Sequence, residues 1–262
     1  MVIDCHTHID KTNEKDWKPE DLIAAMDEAS IDYSIVIENH RSIPPLDQLI
    51  AITKKYQRFF ALANISLDSF DDQYCKKLMH HLKQNDIVGI KLFPGYEDYY
   101  PYDERFSQIL RFCEDNGYPL MIHTGVLMIG CKGHLEQAQP LHVDRIAHAY
   151  PNLKIIIAHM GNPWLTDTVA VMWKNPNVYT DLSAFFVENQ PIDPKDVMLF
   201  LARMRDMKDF LGSFKRCLFG TDWPLYSQKE YLDAVKQIGL TDEERELIYW
   251  KNATELFKLP VQ

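Results

Sequence analysis

The sequence predicts an α/β fold, a (β/α)8 TIM barrel with extra C-terminal helices and one domain over residues 1–262. Three observations predict it. Eight short apolar runs recur along the chain, several continuous rather than alternating, which suits parallel strands covered on both faces. Stretches with helical spacing separate them. No Ser/Gly-rich linker interrupts the alternation, which favours one closed barrel, with a doubly wound open sheet as runner-up.

The runs lie at residues 2–9, 33–38, 60–67, 87–93, 119–125, 153–161, 177–184 and 217–224. The stretches KIIIAH and PLMIHTG show the unbroken kind best. After the first run, residues 19–30 place Leu22, Ile23 and Met26 on one helical face. Phe106, Ile109, Leu110 and Cys113 repeat that pattern, with Asp103 as the N-cap candidate and Gly117 just past the end. Three segments that follow strands, 94–103, 126–140 and 185–194, are long enough to form a collar around a substrate. The tail, 228–259, reads as two or three helices that close the barrel, with apolar spacing over 242–250 and 253–257.

Composition narrows the function classes. The 262 residues are 46% hydrophobic, enough for a large core. A net charge of −10 argues against nucleic acid or an anionic membrane as the main partner. No run of about 18 apolar residues predicts a transmembrane helix. The stretch MVIDCHTHIDK lacks a basic region followed by a long apolar run, so no secretory leader is expected. Five cysteines without a CxxC pair read as buried, reduced thiols in a cytoplasmic protein. GxGxxG, Walker A and GxSxG are absent, which leaves nucleotide cofactors and serine hydrolysis without support.

Chemistry concentrates at the strand ends. In Asp4-Cys5-His6-Thr7-His8, alternation along a strand turns His6 and His8 to the same face. Two imidazoles on an apolar strand need partners, and either hydrogen bonds or a divalent metal would supply them. His123 closes the fifth run, His159 the sixth and Asp222 the eighth, so the donors gather where barrel active sites form. Imidazole with carboxylate suits Zn²⁺, and also Mn²⁺, Fe²⁺ or Ni²⁺. Lys91, inside the fourth run, is a buried ammonium that needs a partner or a polar cavity. It is a candidate for carbamylation between two metals, for holding a substrate carboxylate, or for tuning a neighbouring acid; snorkelling outward is the structural alternative. Aromatic residues after the strands, Phe93, Tyr96, Tyr99, Tyr100, Tyr102, Trp164, Phe185, Phe186 and Trp223, either line a pocket or pack under loops. Asp181 reads as a partner to a ligand or as structural, and His40, His80, His81 and His148 as solvated residues. His134 and His142 lie in or beside the long loop after His123.

The set DCHTHI, GIKLFPGY, IIIAHMGNPW and LFGTDWP resembles the amidohydrolase superfamily, in its amidohydrolase-related branch of metal-dependent barrel hydrolases, decarboxylases and lactonases. The resemblance runs from about residue 2 to residue 224. It implies His6, His8, His123 and Asp222 as metal ligands. His159 would orient a metal-bound water or ligate a second metal, and Lys91 would be plain or carbamylated. One metal is favoured, most simply Zn²⁺, with two if Lys91 is carbamylated. The expected reaction is hydrolysis of an amide, lactone or ester in a small acidic or aromatic molecule, with Asp222 moving the proton. The alternative is nonoxidative decarboxylation of an unsaturated carboxylic acid, and the third reading is a non-catalytic metal-binding barrel. A small-molecule substrate is the expected partner, and a homodimer is implied by the resemblance alone.

Overall fold

Eight parallel strands stand side by side in sequence order. They are β1 (Ile3–Thr7), β2 (Tyr33–Ile37), β3 (Phe59–Asn64), β4 (Gly89–Leu92), β5 (Leu120–Ile122), β6 (Ile155–Ile157), β7 (Val178–Asp181) and β8 (Cys217–Leu218). This computed structural model describes residues 1–9, 15–41 and 44–261. Each expected run holds one strand. The strands are shorter than the runs because the last residues of several runs turn out of the ladder to build the site.

Three backbone bonds bring the ends of the sheet together: Cys5 N donates to Phe219 O at 2.9 Å, Asp222 N to His6 O at 2.8 Å, and His8 N to Trp223 O at 2.7 Å. The sheet is therefore a barrel, and the open-sheet alternative fails.

Helices cover the outside. They are α1 (Pro19–Ala29), α2 (Leu46–Lys55), α3 (Asp72–Lys83), α4 (Ser107–Asn116), α5 (Leu141–Ala149), α6 (Leu165–Lys174) and α7 (Pro194–Leu211), then α8 (Gln228–Val235), α9 (Asp242–Glu246) and α10 (Asn252–Phe257) in the tail. Leu22 and Met26 of α1 are fully buried, as their spacing predicts. The Asp103 carboxylate accepts from Arg105 N and starts a short 3₁₀ turn leading into α4, while Gly117 ends α4 at φ 68°. No described helix is long and apolar enough to cross a membrane.

Side chains alternate between two apolar layers. Val36, Ala61, Ala63, Ile90, Leu92, Leu120, Ile122, Ile155 and Ile157 join the layer between strands and helices. Ile35, Ile37, Leu62, Met121, Ile156 and Leu218 fill the barrel interior. Ala253, Leu256, Phe257 and Leu259 join that inner cluster beside Val88, at the start of the fourth run. Lys258 Nζ donates to Asn116 O at 2.6 Å, so the chain end crosses below the strands from β8 towards the start of β5. The lower end of the barrel is plugged.

Candidate metal centre and its cavity

A local fault in β1 aims its histidines. The β1–β2 register shifts between Asp4 and Thr7, and such a bulge breaks strict alternation. Ile3 and Cys5 consequently join the inner apolar cluster while the neighbouring His6 also turns inward. Asp4, which shares parity with His6, instead accepts from Thr221 Oγ1 at 2.6 Å, Thr221 N at 3.0 Å and Gln228 Nε2 at 2.8 Å. Burial pushes its carboxyl up to about 6 despite these donors. Asp4 thereby ties β1 to β8 and to α8. Gly220 permits the same approach, since a Cβ there would lie 3.1 Å from His6 Cβ.

Around this seam lies a cavity of about 230 Å³. His6, His8, Lys91, His123, His159 and Asp222, all singled out in the sequence, line it together. His8 Nε2 lies 3.3 Å and His6 Nε2 3.6 Å from Asp222 Oδ1. Burial would raise the Asp222 carboxyl, but its hydrogen bond with His8 and the facing imidazoles hold it well below the ordinary carboxylate range. Its backbone sits at φ 68°, an uncommon conformation for a residue with a Cβ, fixed by the bond from Asp222 N to His6 O.

Partners behind the rings orient two of the imidazoles. His6 Nδ1 donates to Asp181 Oδ2 at 2.8 Å, and His8 Nδ1 to Ile37 O at 3.1 Å. With Nδ1 so engaged, both rings turn Nε2 towards Asp222. Burial, then the Lys91 ammonium, lowers His6, with Asp181 opposing. Burial, with His6 adding, brings His159 down to about 3. The Asp181 oxygens are already engaged, by His6 Nδ1 on one side and by His159 N at 2.9 Å on the other. Asp181 thus orients the His6 imidazole and fixes the backbone of His159, a role the sequence left open. His6, His8 and Asp222 offer donor atoms within 4.8 Å of one another, and two neutral imidazoles with one carboxylate suit a divalent ion.

His159 lies on a left-handed run, with φ 59° there, 51° at Met160 and 65° at Gly161. The bond from its N–H to Asp181 holds this strained turn, and its Nδ1 lies 2.8 Å from Ser183 Oγ. His123 is lowered well below the usual range by burial, then by His159 and Lys91. Its Nε2 donates to Val126 O at 3.1 Å, which leaves Nδ1 as its lone-pair nitrogen and sets it outside the closest grouping. Lys91 is fully buried and points inward, so it does not snorkel. Its Nζ lies 2.6 Å from His6 Nε2 and 4.8 Å above the Phe93 ring. Burial brings it down to about 8 against the pull of Asp222 and Asp181.

The walls divide the remaining candidates. Phe93 and Tyr96 line the cavity, together with Tyr226 from beyond β8. His40, expected to be solvated, instead stacks on Tyr96 with centroids 4.5 Å apart, and burial, then Arg41, brings it down to about 4. Its position just beyond the end of β2 was the available signal, because the other site residues also follow strand ends. Tyr99 instead bonds to Phe93 N, and Phe185 packs on Phe200. Trp223 meets Trp17, and Tyr100 stacks on Tyr102. Glu97 accepts from Leu67 N and Ser66 Oγ, pinning a loop, while His134 caps a 3₁₀ turn.

Comparison with known proteins agrees with this architecture. An amidohydrolase family model matches residues 45–259, leaving out β1 and its histidines. A gamma-resorcylate decarboxylase from Polaromonas sp. (strain JS666) is 30% identical over 130 residues, covering 42% of this chain and 36% of that enzyme. The chain therefore matches about a third of that relative's length. An uncharacterized TIM-barrel protein from Bordetella bronchiseptica superposes with a TM-score of 0.78 at 21% identity, over 98% of both chains. A dihydroxybenzoic acid decarboxylase from Polaromonas sp. JS666, solved with manganese and the inhibitor 2-nitroresorcinol, gives a TM-score of 0.72 at 18% identity. That alignment covers 100% of this chain and 98% of that one. With the family model spanning most of its length and the same barrel in these neighbours, the chain belongs to the amidohydrolase family.

Proposed function

We propose that the chain is a metal-dependent nonoxidative decarboxylase of a small aromatic carboxylic acid. The observation that carries this reading is a cavity with Lys91 and the ionised Asp222 at its base and the rings of Phe93, Tyr96 and His40 in its wall. A flat ring fits against such walls, and its carboxylate meets the Lys91 ammonium. Hydrolysis comes first in the sequence expectation and decarboxylation second. The likeness to Polaromonas dihydroxybenzoate decarboxylase, in sequence and in structure, supports the reverse order.

His6 and His8 through Nε2, Asp222 through its carboxylate and His123 through Nδ1 would hold a divalent ion. When bound, such an ion supplies a Lewis acid that draws electron density from substrate oxygens. Lys91 offers a second positive charge to the carboxylate or to a neighbouring hydroxyl oxygen. The aromatic wall holds the ring and excludes water. His159, its Nδ1 engaged by Ser183, keeps Nε2 for a substrate oxygen. Departure of CO2 breaks the ring–carboxyl bond and leaves the electron pair on the ring carbon, which then needs one proton. Asp222 accepts a proton from a substrate hydroxyl and returns it to that carbon; solvent restores the hydroxyl on release.

The test is protein reconstituted with Mn²⁺ or Zn²⁺ and supplied with 2,6-dihydroxybenzoate. The expected products are resorcinol and CO2 in equal amounts, with one ring deuterium in D2O and no labelled water oxygen in the resorcinol. Failure to release CO2, together with label uptake during the opening of a lactone or amide, would overturn this reading in favour of hydrolysis.

A further inference from the structure

The loop after β7 brings to the cavity a carboxyl group that the mechanism above leaves unused. Glu188 lines the cavity, and apart from Asp222 it is the one acidic residue among the described lining residues. It is partly buried, and among the described residues its carboxylate makes no hydrogen bond or ion pair. Burial, then the Asp222 anion, pushes its carboxyl up, the direction expected where a carboxylate lacks a donor.

The backbone that carries Glu188 is fixed on both sides. Ala184 at φ 51° and Asn189 at φ 54° occupy the left-handed region, unfavourable for residues with a Cβ. Packing and hydrogen bonds impose that shape. Tyr231 Oη accepts from Phe185 N at 3.1 Å, and Tyr226 Oη donates to Phe186 O at 3.0 Å. Asn189 N donates to Leu225 O at 3.0 Å. The anchors come from the segment after β8 and from α8, so the Glu188 carboxyl is presented to the cavity by a held loop.

An unpaired carboxylate in such a place attracts an N–H or O–H donor and repels a second anion. We propose that Glu188 selects the substrate class: an aromatic acid whose ring carries, besides the departing carboxylate, a hydroxyl or amino group that donates to Glu188. A ring bearing a second carboxylate at that position is rejected. Glu188 is a specificity-determining residue, and this assignment rests on the aromatic-acid reading above.

The experiment measures binding to the metal-reconstituted chain, so that it stands apart from turnover. Calorimetry compares the 3- and 4-isomers of hydroxybenzoate and aminobenzoate with 1,3- and 1,4-benzenedicarboxylate, in the wild type and in Glu188→Gln and Glu188→Ala. The wild type should bind the best hydroxyl or amino acid about ten-fold or more tightly than either dicarboxylate, the scale of one charged hydrogen bond. Both variants should bring that preference within about three-fold. An unchanged preference in both variants, a wild type that prefers a dicarboxylate, or no binding of any probe would overturn the assignment. Collapse of the preference without CO2 release would sustain Glu188's role and sink the decarboxylase reading alone.

Discussion

The two ends of the barrel interior are built from the same strands and behave as opposites. At the lower end Met121, Leu62 and Ile156 meet Leu256 and Phe257 in a dry apolar cluster. Two residues further along the same strands, Met121 gives way to His123 and Leu62 to Asn64, and on β4 Gly89 gives way to Lys91. The lower end gains stability from packing. The upper end gathers buried charge, which burial alone would neutralise, and holds it with oriented partners such as Asp181. The strands allow this division because side chains of one parity share one face, so a short step changes the chemistry without changing the wall.

The sharpest test of the division removes chemistry without touching packing. Asp222→Asn should lower turnover of an accepted acid by about a thousand-fold or more while the melting temperature moves little; steady-state kinetics and calorimetry check both halves. The converse variant, Phe257→Ala, should destabilise the chain by about 3–5 kcal/mol in urea denaturation, while the folded fraction retains its metal affinity. A large fall in that affinity would show that the two ends are not separable.

Lys91 offers a test by pH on metal-free protein. Its folded-state value, brought down to about 8 by burial, lies below the ordinary lysine value of 10.5. Between these the unfolded chain binds the extra proton, so stability should rise with pH from about 8 to 10.5. The rise should be about 3 kcal/mol and vanish in Lys91→Met, as read by urea denaturation across that window. The smallest effect is expected at Asp181. Asp181→Asn keeps the shape and removes the charge behind His6, and should weaken metal binding by about 10–100-fold in a chelator competition.

Much of this was legible in the sequence, for identifiable reasons. Continuous apolar runs marked all eight strands because parallel barrel strands are covered on both faces. The site residues stood out because histidine, lysine and aspartate are out of place at the ends of such runs. The rest depends on contacts that local pattern does not carry. Alternation put Asp4 with His6, but the register shift in β1 separated them. His40 lay beyond the strand proper, and its role depends on Tyr96 of another loop. Glu97 and His134 sat on promising loops, yet both serve to shape those loops. Glu188 is one acid among many until Tyr226, Tyr231 and Leu225 fix the backbone around it.

The plug beneath the strands also governs traffic. With Leu256, Phe257 and Leu259 blocking the floor, the upper end of the barrel serves, among the described residues, as both entrance and exit. For the reaction proposed, the gas escapes past a ring that still fills the slot, so the arene leaves last. An accumulating arene then queues against the incoming acid for one doorway, and competitive inhibition by product follows from the architecture itself.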